Sequence, residues 1–362
     1  MTDIRVLPYL GVRYQVKYHT CNLACPYCIA GWSERENVFD AVTFRQVVSK
    51  LRQLPYRISL RIGVGGEFFT CPELMEEVRN ICNFDTNIFG VSFSTNLVAS
   101  WNQTIGPFLS SLDTGKLGMG CTLHDTVIKD IDEFFDKASK IKKSGVEVYV
   151  GYVAIPQKIN LIPTYKKRCD QLGIPLIMNG LIGKLRGVDG TDPSLEYPRD
   201  YTSAELAALK EVWDTPHSYM MLLRACNTKG MACSAGRNYI YIDHRGNVFP
   251  CGNTAQLKAS KNMGNILTDE IMMQTDDTRC PFTSCWCGNE NQALRIVDQY
   301  YERSRALRVY HQKTDIPKSQ LYQGYNPSIF DRSFKDKIGS SWKRVGKFLG
   351  KSCNAALSKT KK

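Results

Sequence analysis

HTCNLACPYC, residues 19–28, is the stretch on which the reading of this chain turns. It sets Cys21, Cys25 and Cys28 in a C-x3-C-x2-C pattern directly after a hydrophobic run that reads as a strand. Three thiolates so close can hold a metal or an iron–sulfur cluster, yet they fall one short of a four-ligand site. If a four-iron, four-sulfur cluster sits here, one iron stays open to a substrate or cofactor. If zinc sits here, His19 completes a set of three cysteines and one histidine. The ten residues alone leave both readings open, and the rest of the chain has to decide.

Outward from this loop, the chain keeps one rhythm. Thr43 opens a helical pattern with Phe44, Val47, Val48 and Leu51 on one face, and the strand RISLRIGV follows, ending at Gly65, Gly66 and Glu67. Then come a helix from about Pro72, the strand FGVSFSTN, a helix near GPFLSSL, the strand KLGMGCTL and the long helical stretch IKDIDEFFDKASKIKKSG. The strand VEVYVGYVAI, a helix closing on Gly173 and the strand IPLIMNGLI complete the series. Six strands alternating with helices predict parallel β/α units with functional loops at the C-terminal strand ends. The cysteine loop, the Gly65 to Glu67 turn, Thr95 with Asn96, and Thr122 with His124 all fall at such ends. A doubly wound open sheet would also put ligands there, but its first loop is glycine-rich, and here that loop is cysteine-rich. The expected fold is therefore α/β, an incomplete (β/α)6 TIM-like barrel.

Length, composition and charge bound the rest. The chain has 362 residues, enough for a barrel-sized domain and a smaller unit, with 43% hydrophobic and 23% charged residues. It shows no run of eighteen apolar residues and no secretion signal, so a cytoplasmic protein is expected. Its 14 cysteines are clustered rather than spread, which points to metal and a reducing compartment. Of the net charge of +12, residues 332–362 supply +9, with ten Lys or Arg against Asp336 alone. The body is nearly neutral, and affinity for anionic surfaces belongs first to the tail.

Residues 187–202 are rich in Gly, Pro, Asp and Thr and read as a linker, followed by the helical stretch SAELAALKEVW. The next composition is different. NYIYIDHRGNVFPC reads as a period-two hairpin turning at residues 244–247, flanked by Cys233 and Cys251, and CPFTSCWC adds Cys280, Cys285 and Cys287. This is a second metal-binding unit. The expected divisions are 1–186 for the barrel, 187–225 for linker and helix, 226–300 for the second cysteine unit, and 301–362 for a C-terminal helix and basic tail.

The first cysteine triad, with Tyr27 in the aromatic slot of C-x3-C-x-aromatic-C, resembles the radical S-adenosylmethionine (radical SAM) superfamily. A Gly-Gly-Glu at the second strand end, here Gly65, Gly66 and Glu67, is the element that family uses for the amino group of the cofactor. Two glycines admit a close ligand and a carboxylate suits an ammonium. By the same resemblance Ser94, Asn96 and Thr122 lie near the ribose. The open iron of the 4Fe-4S cluster is chelated by the amino and carboxylate groups of S-adenosylmethionine, and its reductive cleavage gives a 5′-deoxyadenosyl radical. On the fourth strand, alternation places Gly120, Thr122 and His124 on one face and Cys121 on the other. His124 is a candidate proton acceptor, or a loop histidine satisfied by a local hydrogen bond.

The second unit resembles the auxiliary domains of that superfamily called SPASM or twitch, through Cys233, Gly246 and Cys251 and the Met263 to Ile266 stretch. The two-cluster form would continue as C-x2-C-x5-C-x3-C, whereas this chain has C-x4-C-x-C. Five cysteines from 233 to 287 suffice for one auxiliary 4Fe-4S cluster, with one of Cys280, Cys285 and Cys287 spare. A structural zinc holding the same hairpin is the competing reading. Cys71, Cys82, Cys169, Cys226 and Cys353 have no partner spacing and read as ordinary residues.

The resemblance implies an enzyme that abstracts a hydrogen atom and oxidises or modifies a peptide or a sugar or aminocyclitol. It also implies an external electron donor of the flavodoxin or ferredoxin type. The alternative from another class is a non-catalytic zinc-binding or adaptor protein on the same cysteines. In the tail, Phe334, Ile338, Trp342, Val345, Phe348 and Leu349 share a helical face with Lys and Arg largely off it, a pattern suited to peripheral contact with an anionic membrane. A solvated tail, or a helix docked on its own barrel, fits as well. Nucleic acid is disfavoured, since no base-stacking module accompanies the charge.

Overall fold

Period-two alternation fixes the two faces of each strand before any helix packs on it. In β1 (Tyr9–Gln15) the buried Leu10, Val12 and Tyr14 face a helical layer, and Tyr14 stacks on Phe44 with centroids 5.6 Å apart. In β2 (Arg57–Gly63) Ile58, Leu60 and Ile62 do the same. The computed structural model describes residues 8–28, 38–185, 192, 194–195, 197–198, 200–212, 229–256, 262–282 and 285.

β1, β2, β3 (Ile88–Thr95), β4 (Leu117–Leu123), β5 (Glu147–Ala154) and β6 (Leu176–Gly180) pair in that order, each parallel to the next. The helices α1 (Ala41–Gln53), α2 (Pro72–Phe84), α3 (Gly106–Ser110), α4 (Ile131–Lys143) and α5 (Ile162–Leu172) make the crossovers, as expected of a partial barrel. Their packing is aromatic around β3, where Phe68 stacks on Phe93 and Phe108 meets both edge-on. On the outer surface Arg52 at the end of α1 grips the buried Asp85 after α2 with two bonds of 2.6 and 2.7 Å.

Boundaries moved where caps decide them. α1 begins at Ala41, two residues before the expected Thr43, because the Asp40 carboxylate accepts from the Thr43 N–H and caps the helix. α4 starts after Asp130, which caps it in the same way. The stretch near GPFLSSL is a π-turn over Trp101–Ile105 leading into the short α3. Part of the expected linker is tied to the barrel: Tyr201 is buried, donates to the Ala154 carbonyl and accepts from the Leu181 N–H. α6 (Ser203–Val212) follows it.

The C-terminal hairpin continues the barrel sheet. β8 (Tyr239–Ile242) pairs in parallel with β1, β9 (Asn247–Phe249) is antiparallel to β8, and β10 (Gly264–Asn265) is antiparallel to β9. The result is one nine-stranded sheet, β10-β9-β8-β1-β2-β3-β4-β5-β6. β7 (Ala232–Cys233) and β11 (Thr278–Arg279) form a separate pair, and the short α7 (Gly252–Gln256) follows β9. Cys226, Cys287, Cys353 and the basic tail lie outside the described residues. No helix among the described residues is long and apolar enough to cross a membrane.

Candidate active site

The cysteine loop leaves β1 and is held by the ends of β2 and β3. The N–H groups of Gly65 and Gly66 donate to the Tyr18 carbonyl at 2.8 and 3.1 Å, and that of Glu67 donates to Thr20 O at 2.8 Å. This close backbone approach is what the two glycines permit. A Cβ on Gly66 would lie 2.6 Å from the Thr20 carbonyl carbon, and one on Gly65 would lie 2.5 Å from Cε1 of His19. The His19 ring therefore rests on Gly65.

Glu67 is the hub. It is 2% exposed, and its carboxylate accepts from the Thr95 hydroxyl at 2.6 Å, the Asn96 N–H at 2.8 Å and the Phe69 N–H at 3.2 Å. Burial raises its pKa, and these three bonds oppose the rise. Three of its roughly four lone-pair sites are used by the protein. Asn96, 3% exposed, reaches the loop itself: its Nδ2 donates to Asn22 Oδ1 at 2.7 Å and approaches Cys21 Sγ at 3.9 Å. Leu97 next to it adopts φ of 57°, and the buried Lys137 donates to its carbonyl at 3.0 Å.

Cys21, Cys25 and Cys28 gather closely enough for their charges to interact. Burial pushes the Cys25 thiol up to about 12, and Cys21 and Cys28 push it the same way. A buried thiol of this kind needs a nearby metal charge to ionise, which a bound iron–sulfur cluster or zinc ion would supply. Among the described residues no three His, Cys, Asp or Glu side chains converge as tightly as a single-ion site requires.

Tyr27 is buried, and its hydroxyl meets His124 Nδ1 at 2.7 Å. His124 is thus placed against the aromatic residue of the cysteine motif, and burial lowers its pKa to about 4, so the ring is neutral at pH 7. Of the expected ribose residues, Ser94 accepts from Arg61 Nη2 at 2.6 Å, and Thr122 stands in register with Gly151 on the inner wall. Cys121 is fully buried. Arg61, Tyr149 and Asn22 were not singled out from the sequence. A signal for Arg61 was present: in RISLRIG it alternates with Ile58, Leu60 and Ile62, and that pattern aims it into the barrel.

The second cysteine set is brought together by the C-terminal strands. β11 pairs with β7 so that Thr278 faces Cys233, and Cys280 exchanges backbone bonds with Gly230 and Met231. Burial pushes the Cys233 thiol up to about 12, with Cys280 and Cys251 adding to the rise. Cys280 and Cys285 are 7% and 8% exposed.

No family model and no curated protein matches the chain. Solved structures do. SuiB of Streptococcus suis, bound to S-adenosylmethionine, aligns with a TM-score of 0.50 and 15% identity over 73% of this chain and 64% of SuiB. The same protein bound to the precursor peptide SuiA gives 0.50 and 14% over 74% and 64%, so this chain spans just under two thirds of SuiB. Hexahistidine-tagged anSMEcpe with bound S-adenosylmethionine gives 0.48 and 16% over 92% and 95%. The chain shares the fold of SuiB. In this chain the cysteine loop after β1, the Gly65 to Glu67 turn after β2 and Asn96 after β3 form one hydrogen-bonded rim.

Proposed function

We propose that this chain is a radical SAM enzyme that modifies a peptide. The observation that carries the reading is the rim just described, in which the loop bearing Cys21, Cys25 and Cys28 is fixed by a Gly-Gly-Glu turn and an asparagine at successive strand ends. Cys21, Cys25 and Cys28 would hold the reducing 4Fe-4S cluster. Cys233, Cys251 and Cys280, with Cys285 or Cys287, would hold an auxiliary one. When bound, the cluster and S-adenosylmethionine supply a 5′-deoxyadenosyl radical that removes a hydrogen atom from the substrate.

The protein's own residues position and shield. Glu67 fixes the loop through Thr95 and Asn96, and Asn96 orients the segment carrying Asn22 and Cys21. Tyr27 closes the aromatic side of the loop against His124. Gly65, Gly66, Ser94 and Thr122 are the groups assigned to the cofactor. A peptide is preferred over a sugar because SuiB, of the same fold, has been solved with its precursor peptide. The auxiliary cluster would accept an electron from the substrate, and an external flavodoxin- or ferredoxin-type donor would supply the first one.

Anaerobic reconstitution tests this. The expectation is about eight irons per chain for two four-iron clusters. A paramagnetic resonance signal should change on adding S-adenosylmethionine, and 5′-deoxyadenosine should be released under reductant. Zinc in place of iron, or no cleavage, would overturn the reading in favour of a zinc-binding protein.

A further inference from the structure

We propose that Arg61 seats a carboxylate of the substrate on the inner wall of the barrel; the inference rests on the enzyme reading above and narrows its substrate to a carboxylate-bearing peptide. Arg61 is half-buried in β2 on the face opposite Ile58, Leu60 and Ile62. Its Nη2 donates to Ser94 Oγ of β3 at 2.6 Å and to Tyr149 OH of β5 at 3.1 Å. Strands stand about 4.8 Å apart, so Arg61 of β2 and Tyr149 of β5 meet only by leaning toward each other across the inner wall. Gly120 of β4, in register with both Ser94 and Tyr149, makes the span possible, because a Cβ there would lie 2.5 Å from Cζ of Tyr149.

The partners of Arg61 are two neutral hydroxyls. Arginines on the outer layer are neutralised: Arg45 by Glu77, Arg52 by Asp85, Arg79 by Glu76 and Arg168 by Asp132. Arg61 has no carboxylate among the described residues, and its Nε and Nη1 have no protein acceptor there. A guanidinium presents five N–H donors in a planar fork that matches a carboxylate. Ser94 and Tyr149 occupy one nitrogen and hold the fork; the rest faces the barrel interior.

The position suits a substrate. Ser94 immediately precedes Thr95 and Asn96, which bind Glu67 and the cysteine loop, so the guanidinium lies just beneath the rim. The walls beside it carry Gly120 and Gly151 rather than the bulky side chains that fill a closed barrel. The cofactor's own carboxylate is assigned by the same reading to the open iron, which leaves the fork for the substrate.

The test uses anaerobic, cluster-loaded protein and calorimetric titration, with and without S-adenosylmethionine. The probes are N-acetylaspartate amide for a side-chain carboxylate, N-acetylalanine for a terminal one, and N-acetylasparagine amide as neutral control. Wild type should bind at least one carboxylate and not the control. Arg61→Met should weaken that binding by at least about tenfold, the loss expected for a charge-assisted pair. Arg61→Lys should keep part of it. The melting temperature of Arg61→Met should be equal to or above that of wild type, since an uncompensated half-buried charge is removed, whereas a structural arginine would destabilise when lost. Equal carboxylate binding by wild type and Arg61→Met, no carboxylate binding by wild type, or a lower melting temperature overturns the proposal. Loss of S-adenosylmethionine affinity in Arg61→Met also overturns it, by giving the fork to the cofactor. If wild type fails to bind S-adenosylmethionine at all, the enzyme reading fails separately.

Discussion

Glu67→Gln separates two roles for the Gly-Gly-Glu turn. Its carboxylate accepts three hydrogen bonds, from the Thr95 hydroxyl, Asn96 N–H and Phe69 N–H. An amide has only one acceptor oxygen, so whichever way it flips an NH2 group meets a donor. If the NH2 faces Asn96, a backbone N–H is orphaned. If it faces Thr95, that hydroxyl can rotate to accept, and Phe69 N–H is orphaned instead. Either way one buried donor loses its partner, at a cost of about 1–3 kcal/mol. Relief of the buried charge offsets part of this, since burial already disfavours the ionised form. The assay is thermal unfolding and iron retention of the anaerobically loaded protein, beside S-adenosylmethionine titration. The expected result is a lower melting temperature and faster loss of iron, because Asn96 and with it Asn22 and Cys21 lose their anchor. Unchanged stability and iron, with S-adenosylmethionine binding abolished, would refute the reasoning and return the carboxylate to the cofactor.

Other substitutions read neighbouring contacts. Gly66→Ala puts a Cβ against backbone atoms of His19 and Thr20 that cannot rotate away, so the loop must move; cluster retention should fall sharply while far-ultraviolet dichroism persists. His124 carries a folded pKa of about 4, below its unfolded value near 6.5. The folded state therefore binds fewer protons in that window, and stability present at neutral pH drains away as pH falls, by about 2 kcal/mol between pH 7 and pH 5. His124→Asn should flatten this slope in urea unfolding; an unchanged slope would show that other groups carry it. Cys25→Ala should abolish S-adenosylmethionine cleavage, whereas Cys251→Ala should leave uncoupled cleavage and lose product. Full product formation by Cys251→Ala would remove the auxiliary role.

Much of the barrel was legible because its signals are local. Leu10, Val12 and Tyr14 alternate with polar residues and glycine, and Phe44, Val47, Val48 and Leu51 recur at helical spacing; both patterns survive folding intact. The place of the cysteines at a strand end was legible for the same reason. The direction of the Glu67 side chain was not, since it depends on Thr95 and Asn96 arriving from another strand. Arg61 was overlooked because its meaning lies in having only hydroxyl partners and no carboxylate among the described residues, which no spacing reports. The pairing of β8 with β1 joins residues more than two hundred positions apart and has no local signature.

That pairing has a temporal consequence. β8 hydrogen-bonds to β1 between Gly11 and Tyr14, on the strand that leads into the first cysteine loop. During synthesis β1 emerges early and can be sheltered at once by α1 and β2, while its other edge waits for the hairpin made last. Until then that edge is an open template for strand addition from any chain. The first cysteine loop can form in this half-finished sheet, whereas the strands around Cys233 and Cys251 follow it by more than two hundred positions. Under the proposed reading, the first cysteine set can be loaded while that edge is still open and before the second set exists.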